Sequence, residues 1–336
     1  MKPLRYAACV SVALFGLPLQ ASAKFITFQP PGATATGVVK LDNKGEVIGF
    51  FNDSSGQHGY IRAADGTFTI INVPGATATV PIARQEDGTI VGNYDSTTGD
   101  IPWRGFVRAP DGQFSDIVPP HDRRYTYLSS LSKAGWIAGT GERGGPKRGD
   151  SFGFFRDPKG HYTEFGVGLM VTCANSGNTT AGVLYEGFVS HGFVRTPDGT
   201  TTQFDPPDAI YTYVSAINDA GTVIGYSDLS SGNGVGFIRA SDGTTSTFVV
   251  PGDNVQYTFP ITINKSGVIA GAYQNGAYQT VDGSSGGGFV RALDGTITIV
   301  NVPGSTDTQI TSLNDKGQGA GVFVANGVFT GFIWKP

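Results

Sequence analysis

The stretch Gly236-Phe237-Ile238-Arg239 decides the fold, because the same order of glycine, aromatic, apolar and basic residue recurs along the chain. Seven copies align, and the last has Trp334 in place of the basic residue. They begin at Gly59, Gly105, Gly153, Gly192, Gly236, Gly288 and Gly331, at spacings of 46, 48, 39, 44, 52 and 43 residues. A period of about 45 residues built from short apolar segments is typical of β-propellers and similar arrays. The repeated residues are those that a blade needs to fold, so they indicate an architecture and not a function.

Each repeat resolves into four short strands, which we letter A to D. In the second repeat they are Thr79–Arg84, Thr89–Tyr94, Arg104–Ala109 and Gln113–Val118. An Asp-Gly pair such as Asp111-Gly112 separates strands C and D in most repeats, and this pair is a strong hairpin signal because such turns need positive φ. The A–B turns are predicted to end in glycine, at Gly45, Gly88, Gly135, Gly177, Gly221, Gly267 and Gly317.

The two ends of the chain supply complementary parts of one repeat. The seventh repeat stops after its strand C, whereas Phe25-Ile26-Thr27-Phe28 matches the strand D segments of other repeats. A propeller removes its open edges by closing a ring in this way. We therefore predict an all-β, seven-bladed β-propeller with four-stranded blades, a single domain over 24–336, and a blade-closing strand at 25–29.

Residues 1–23 have the pattern of a signal peptide. Lys2 and Arg5 form a basic start, Tyr6–Leu19 is apolar, and Ala21-Ser22-Ala23 is a cleavage site. The apolar stretch is too short to span a bilayer, so no membrane span is expected. Cleavage after Ala23 would place the protein in the periplasm or the medium, where we expect it to be a secreted monomer.

Charge and composition exclude several classes of function. Removal of the signal leaves 21 Lys and Arg against 27 Asp and Glu, so nucleic acid is not an expected partner. Cys173 is then a single thiol, interpreted as a small buried apolar residue. Four histidines without metal-ligand spacing predict no metal site, and no cofactor is expected.

The repeat also resembles a known family. The order Pro-Gly, Thr, Asn-x-x-Gly-x-Ile-x-Gly, His-Gly-Phe is followed through Pro206–Phe237, with Asp208 in place of its first Gly, Val223 in place of Ile and Val235 in place of His. It is similar to the extracellular HAF-repeat proteins, whose His-Ala-Phe is approached here by His58-Gly59-Tyr60 and His191-Gly192-Phe193. The resemblance covers the whole mature chain and implies an exported, propeller-like repeat protein. It carries over no catalytic residue.

Any ligand is expected on the face formed by the B–C and D–A loops, which we call the loop face, because these loops vary in length. The A–B and C–D turns form the opposite turn face. Six basic and several aromatic side chains gather where blades 2 and 3 meet, and such groups suit an anionic glycan. The predicted ligand-binding residues are Trp103, Arg104, His121, Arg123, Arg124, Tyr125, Tyr127, Arg143, Lys147 and Arg148. The alternative is a solvated patch neutralised by Asp122, Glu142 and Asp150.

Aromatic residues also recur at two positions of strand A. Alternation along a strand places each of the two sets on one side of its strand. Packing between blades is favoured for them over a role in lining a channel mouth. The two sets are Tyr125, Tyr211 and Tyr257, followed two residues later by Tyr127, Tyr213 and Phe259.

Two principal functions remain open, and a structural cell-surface module is a third option. The leading hypothesis is a non-catalytic exported propeller that presents its loops to a glycan, a surface polymer or a surface protein. The alternative is a carbohydrate-active enzyme, most plausibly a polyuronide lyase in which Tyr125 or His121 abstracts a proton. Ser151 lies in a G-x-S-x-G match, but that stretch runs into strand C and lacks the strand–turn–helix elbow of a hydrolase, so a Ser151–His121 pair is a weak candidate. Since no complete set of catalytic residues recurs or clusters in the sequence, we favour a binding protein over an enzyme.

Overall fold

The computed structural model describes residues 23–95, 103–144, 150–276 and 286–336. These ranges form 28 β-strands and no helix, and hence no helix long and apolar enough to cross a membrane. The first strands are β1 (Lys24–Phe28), β2 (Ala35–Leu41), β3 (Val47–Asp53), β4 (Gly56–Arg62), β5 (Phe68–Ile71), β6 (Thr79–Arg84), β7 (Ile90–Asp95), β8 (Trp103–Arg108), β9 (Phe114–Ile117), β10 (Thr126–Leu131), β11 (Ile137–Glu142), β12 (Ser151–Arg156) and β13 (Tyr162–Phe165). The others are β14 (Leu169–Ala174), β15 (Thr180–Glu186), β16 (Val189–Arg195), β17 (Thr201–Phe204), β18 (Ala209–Ile217), β19 (Val223–Leu229), β20 (Gly234–Arg239), β21 (Thr245–Phe248), β22 (Val255–Ile263), β23 (Ile269–Asn275), β24 (Gly286–Arg291), β25 (Ile297–Val300), β26 (Asp307–Leu313), β27 (Gly319–Ala325) and β28 (Val328–Lys335).

The described strands form repeated four-stranded antiparallel units. We number them unit 1 (β2–β5), unit 2 (β6–β9), unit 3 (β10–β13), unit 4 (β14–β17), unit 5 (β18–β21), unit 6 (β22–β25) and unit 7 (β26–β28 with β1). A single parallel pair, Gly234 with Tyr257, joins units 5 and 6 into one 8-stranded sheet. In unit 7, β1 runs antiparallel to β28, from Lys24 opposite Lys335 to Phe28 opposite Gly331. The predicted all-β class and four-stranded repeat are confirmed.

Burial explains the aromatic residue of the recurring tetrapeptide. Its ring is 0% exposed in every unit, at Tyr60, Phe106, Phe154, Phe193, Phe237, Phe289 and Phe332. Each of these residues lies opposite a glycine of the neighbouring second strand, as Phe237 lies opposite Gly225. A Cβ on that glycine would overlap a first-strand carbonyl oxygen, so the position requires glycine. Ring and glycine together allow the first three strands to pack closely.

The first glycine of the tetrapeptide allows neighbouring units to pack closely. A Cβ on Gly59 would lie 2.6 Å from Pro81 of unit 2, and one on Gly105 would lie 2.7 Å from Leu128 of unit 3. A Cβ on Gly236 would likewise lie 2.8 Å from Pro260 of unit 6. The missing side chain therefore makes room for the first strand of the following unit.

One turn differs from its predicted form. The A–B turn of unit 4 was predicted to end in Gly177, but the left-handed residue is Asn178, with φ of 61°. The amide of Asn178 donates to the carbonyl of Asn175 at 3.1 Å, as Gly221 does to Asn218 in unit 5. The prediction was wrong by one residue, because asparagine also tolerates this conformation.

Candidate functional site

The structure brings together three of the predicted aromatic residues at the junction of units 2 and 3. Trp103 is the first residue of β8 and forms a parallel bridge with Tyr125, which lies just before β10. The ring of Tyr127 stacks on Trp103 at a centroid distance of 5.9 Å and contacts Tyr125 at 5.0 Å. The side chain of Tyr127 is 41% exposed. We call Trp103, Tyr125 and Tyr127 the aromatic cluster.

Both tyrosines of the aromatic cluster are held in their neutral form. Burial raises the pKa of Tyr125 to about 12, and the nearby Glu142 carboxylate adds to this shift. Burial also raises the pKa of Tyr127, with a smaller effect from Asp95. At neutral pH both hydroxyls are therefore protonated and act as hydrogen-bonding groups on largely apolar rings.

Two of the predicted arginines pair with carboxylates of outer strands. Arg104 Nη1 lies 3.1 Å from Asp116, which also accepts a hydrogen bond from the hydroxyl of Tyr94. Arg143 Nη2 lies 3.2 Å from Glu164, and its guanidinium stacks 4.6 Å from the ring centroid of Phe152. These two arginines are thus neutralised within the protein, but by Asp116 and Glu164 and not by the carboxylates that the sequence suggested.

The D–A loop before β10 is organised by a fully buried carboxylate. Asp122 is 0% exposed and accepts hydrogen bonds from the backbone amides of Arg124, Tyr125 and Glu142, and from the hydroxyl of Thr126. Asp122 therefore fixes the shape of the loop by accepting hydrogen bonds from its backbone amides. Among the described residues, its carboxylate forms no ion pair with an arginine.

The outward side of this loop keeps exposed basic side chains. Arg123 donates to the backbone carbonyls of Pro120 and Asp122. Arg124 lies 3.5 Å from Glu142, while 56% of its side chain is exposed. His121 Nδ1 lies 2.8 Å from Glu164, and 68% of its side chain is exposed. Arg124 and His121 are accordingly accessible beside the aromatic cluster.

Sequence reasoning missed Glu164, which contacts both His121 and Arg143. The hydrogen bonds from His121 and Arg143 outweigh the effect of burial and lower the pKa of Glu164. Glu164 lies on the outer strand of the unit, 43 residues after His121 in the chain. Only a tertiary placement of the loop against that strand could have identified it.

The remaining predicted residues are not joined into a catalytic arrangement. Ser151 pairs with Glu142 across β11 and β12, and its carbonyl accepts from Gly168. Among the described residues, no hydrogen bond connects Ser151 with His121, whose ring bonds Glu164 instead. Lys147 and Arg148 lie outside the described residues. No group of three or more His, Cys, Asp or Glu in the described ranges is arranged to hold a metal ion.

A second group of aromatic rings lies at the junction of units 5 and 6. Tyr213 stacks on Tyr226 at 4.8 Å, and Tyr226 contacts Phe259 of the next unit at 5.0 Å. Phe259 in turn stacks on Tyr257 at 5.7 Å. The contact between Tyr226 and Phe259 crosses a unit boundary, as the contact between Trp103 and Tyr127 does, and it supports the interpretation of the recurring aromatics as packing between units.

Repeated four-stranded antiparallel sheets of this kind define the chain as a β-propeller protein. Its solved structural neighbours include virginiamycin B lyase from Staphylococcus aureus, with 13% identity and a TM-score of 0.60 over 94% of this chain and 100% of that chain. They also include the β-propeller domain of the trilobed protease from Pyrococcus furiosus, described as having an open velcro topology. That domain has 11% identity and a TM-score of 0.57 over 90% of this chain and 96% of its own.

Other comparisons give no family. No protein-family model matches the chain, and no curated protein matches it. At the low identities of the solved neighbours, similarity shows the fold and leaves the activity open, because one fold carries many functions.

Proposed function

We propose that the protein is a non-catalytic binding propeller whose loop face binds a glycan or surface polymer at the aromatic cluster. The observation that carries this proposal is the stack of Trp103 and Tyr127, in which Tyr127 stays 41% exposed. Aromatic rings offer large rigid apolar surfaces with polar tips, which suit the faces of sugar rings. The exposed Arg124 and His121 beside the stack favour a polymer that bears carboxylate or sulfate groups.

The arrangement of the same residues favours binding over catalysis. A base that acts at neutral pH needs a pKa near 7, whereas that of Tyr125 is about 12. His121 is engaged with Glu164 through Nδ1. The polyuronide lyase is therefore the less favoured function, because Tyr125 is protonated at neutral pH and, among the described residues, no hydrogen bond joins Nε2 of His121 to a catalytic partner.

The first prediction concerns the aromatic stack. Replacing Trp103→Ala and Tyr127→Ala together should weaken glycan binding by at least about tenfold, or ~1.4 kcal/mol, because the stacking surface is lost. Binding is measured by screening a glycan array and then titrating the best polymer by calorimetry. Phe188→Ala is the matched control, since Phe188 is a 98% exposed ring of unit 4 and lies outside the cluster.

Two results would contradict this function. Equal affinity in the double variant and in Phe188→Ala would move the binding site away from the aromatic cluster. Release of unsaturated product from a polyuronide, followed by ultraviolet absorbance, would show catalysis and replace the binding function with the lyase.

We further propose that the units are the seven blades of one closed ring. Support comes from the pairing of β1 with β28 and from side chains that link units 7 and 1. Asn314 Nδ2 donates to the carbonyl of Asp42 at 3.0 Å, and Thr311 Oγ1 donates to that of Val38 at 2.9 Å.

Residues 1–22 lie outside the described residues, so export stays a proposal that rests on the sequence. The same holds for the HAF-repeat resemblance and for a secreted or periplasmic monomer without a cofactor. The two histidines that match the His of that family make similar contacts. His58 Nδ1 lies 2.9 Å from Asn72, and His191 Nδ1 lies 2.7 Å from Asp205, so each ring fastens the loop that leads to the next unit.

A further inference from the structure

A cavity of about 220 Å³ lies at the junction of units 7 and 1, away from the aromatic cluster. Its lining includes Lys44 in the turn after β2 and Lys316 in the turn after β26. Lys335 at the end of β28 and Arg62 at the end of β4 complete the charged lining. The cavity therefore opens toward the turn face and collects four cationic side chains and no carboxylate.

The charges of these four cations are not neutralised by direct ion pairs in the part of the chain that the structure describes. Among the described residues, no ion pair involves Lys44, Lys316, Lys335 or Arg62. Asp65 acts on Arg62 through its charge, without an ion-pair contact. Asp315 accepts from Asn43 at 3.0 Å and from Lys265 at 3.3 Å. Like charges that share a cavity repel one another, and an anion between them would relieve that repulsion.

Arg62 places a largely buried guanidinium in the lining of this cavity. The residue is 8% exposed, and its guanidinium lies 5.0 Å from the ring centroid of Phe28. Nη1 donates to the carbonyl of Ala63 at 3.2 Å, whereas the buried Nε has no hydrogen-bond partner. Arg239 of unit 5 has the same unsatisfied Nε, so this feature belongs to the repeat, and the cavity is distinguished by the three lysines beside Arg62. A ligand oxygen in the cavity would supply an acceptor beside this guanidinium.

The lysines are specific to this junction. Lysine directly precedes the left-handed turn residue in units 1 and 7, as Lys44 and Lys316. The same position holds a different residue in the other units, namely Asp87, Ala134, Gly177, Ala220 and Ser266. The repeat therefore does not require lysine at this position. The two lysines found there, Lys44 and Lys316, both line the same cavity.

We propose that this cavity binds a phosphate group, either as free phosphate or as a phosphate monoester. A phosphate carries between one and two negative charges at pH 7 and offers several strong acceptor oxygens, which suits a cluster of four cations better than a single carboxylate does. Lys44 and Arg62 would bind it from unit 1, and Lys316 and Lys335 from unit 7. The anion would thereby bridge the two units at their junction.

The test uses inorganic phosphate and glycerol phosphate as probes, with sodium chloride added to hold ionic strength constant. The full-length protein should show saturable binding by calorimetry and a rise in Tm with either probe, because a ligand that binds only the folded state stabilises it. The double variant Lys44→Gln/Lys316→Gln should lose at least about tenfold in affinity together with the rise in Tm. Both lysines are exposed, so the variant is expected to fold.

Lys159→Gln is the matched control, because Lys159 is an exposed lysine in a turn of unit 3 on the same face. It should bind phosphate as the unchanged protein does. Binding of glycerol phosphate alone would assign the ligand to an ester, and binding of inorganic phosphate alone would assign it to the free anion. Absence of binding by both probes, or equal affinity in the double variant and the control, would overturn the proposal. Neither outcome bears on glycan binding at the loop face.

Discussion

At the residue scale, the recurring arginine of the tetrapeptide is explained by packing. In four units its guanidinium stacks on an aromatic ring of the preceding unit's outer strand. The distances to the ring centroids are 5.0 Å for Arg62 on Phe28, 4.3 Å for Arg195 on Phe165, 5.0 Å for Arg239 on Phe204 and 5.1 Å for Arg291 on Phe248. A cation over an aromatic face stabilises such a contact, and the long side chain covers apolar surface. Repetition at one geometric position therefore reflects folding.

The second prediction, also at the residue scale, concerns the thiol of Cys173. The residue packs against a core cluster that includes Val214 and Phe237, and burial raises the pKa of its thiol to about 12. Since the thiolate is the reactive form, the folded protein should react with a disulfide reagent at pH 8 at least about 100-fold more slowly than free cysteine. The measurement is the rate of reagent absorbance change, with protein unfolded in urea as the control. Fast reaction of the folded protein would show an accessible thiolate and contradict the raised pKa of this half-buried thiol.

At the element scale, the first strand of every unit carries a β-bulge at the same place. The register of pairing shifts around Val39, Ile82, Ser129, Thr172, Ser215, Ile261 and Thr311. In three units the hydroxyl of the bulged residue donates to a carbonyl of the second strand, as Thr172 does to Ala181 at 3.3 Å. A bulge bends its strand and increases the local twist. The bend is thus built into each repeat.

The close approach of first and second strands gives a third prediction. A Cβ on Gly225 would overlap the carbonyl oxygen of Tyr213 and lie 2.8 Å from the ring of Phe237. Gly225→Ala should lower the free energy of unfolding by more than about 2 kcal/mol, because backbone or ring must move. Denaturation in urea measures the loss. Gly177→Ala is the control, since its Cβ would meet nothing closer than 3.4 Å and should change stability by less than about 1 kcal/mol. Equal midpoints for the two variants would refute the close approach.

At the scale of the whole molecule, neighbouring units are linked by a chain of asparagine side chains at the A–B turns. Asn175 donates to the carbonyl of Asn218 at 3.2 Å, Asn218 to Asn264 at 3.4 Å, and Asn264 to Asn314 at 3.3 Å. Asn314 donates in turn to Asp42 of unit 1. Each buried amide thus fixes the position of the next unit, and the series continues from unit 7 to unit 1.

Phe28 of β1 tests the proposed closure of the ring. It is 8% exposed, lies 6.3 Å from the ring of Tyr60 and holds the guanidinium of Arg62, both in unit 1. Phe28→Ala should lower the free energy of unfolding by about 3–5 kcal/mol, because it leaves a cavity where units 7 and 1 meet. Urea denaturation is again the measurement, and Phe329→Ala, a 38% exposed residue of β28, is the control. An unchanged midpoint for Phe28→Ala would argue that β1 does not hold the two units together.

Most of the repeat could be predicted from the sequence, because it depends on residues that interact within one unit. Gly225, Phe237 and the Asp242-Gly243 turn lie within about 20 residues of one another and are required by strand pairing and by positive φ. Unit 4 shows the limit of such reasoning, since Asn178 can replace glycine in a left-handed turn. The proximity of Trp103, Tyr125 and Tyr127 was also predicted, because the B–C loop of unit 2 and the D–A loop before unit 3 lie on the same face.

The sequence by itself determined the strand order and the residues of the repeat, and the tertiary structure decided which charges meet. Glu164 pairs with His121 and Arg143 because the loop before β10 folds against an outer strand, a contact that no local pattern encodes. Lys44 and Lys316 lie at opposite ends of the chain and share one cavity because β1 pairs with β28. Backbone geometry follows from short-range steric and hydrogen-bonding preferences, whereas electrostatic contacts depend on distances that only the packed units define.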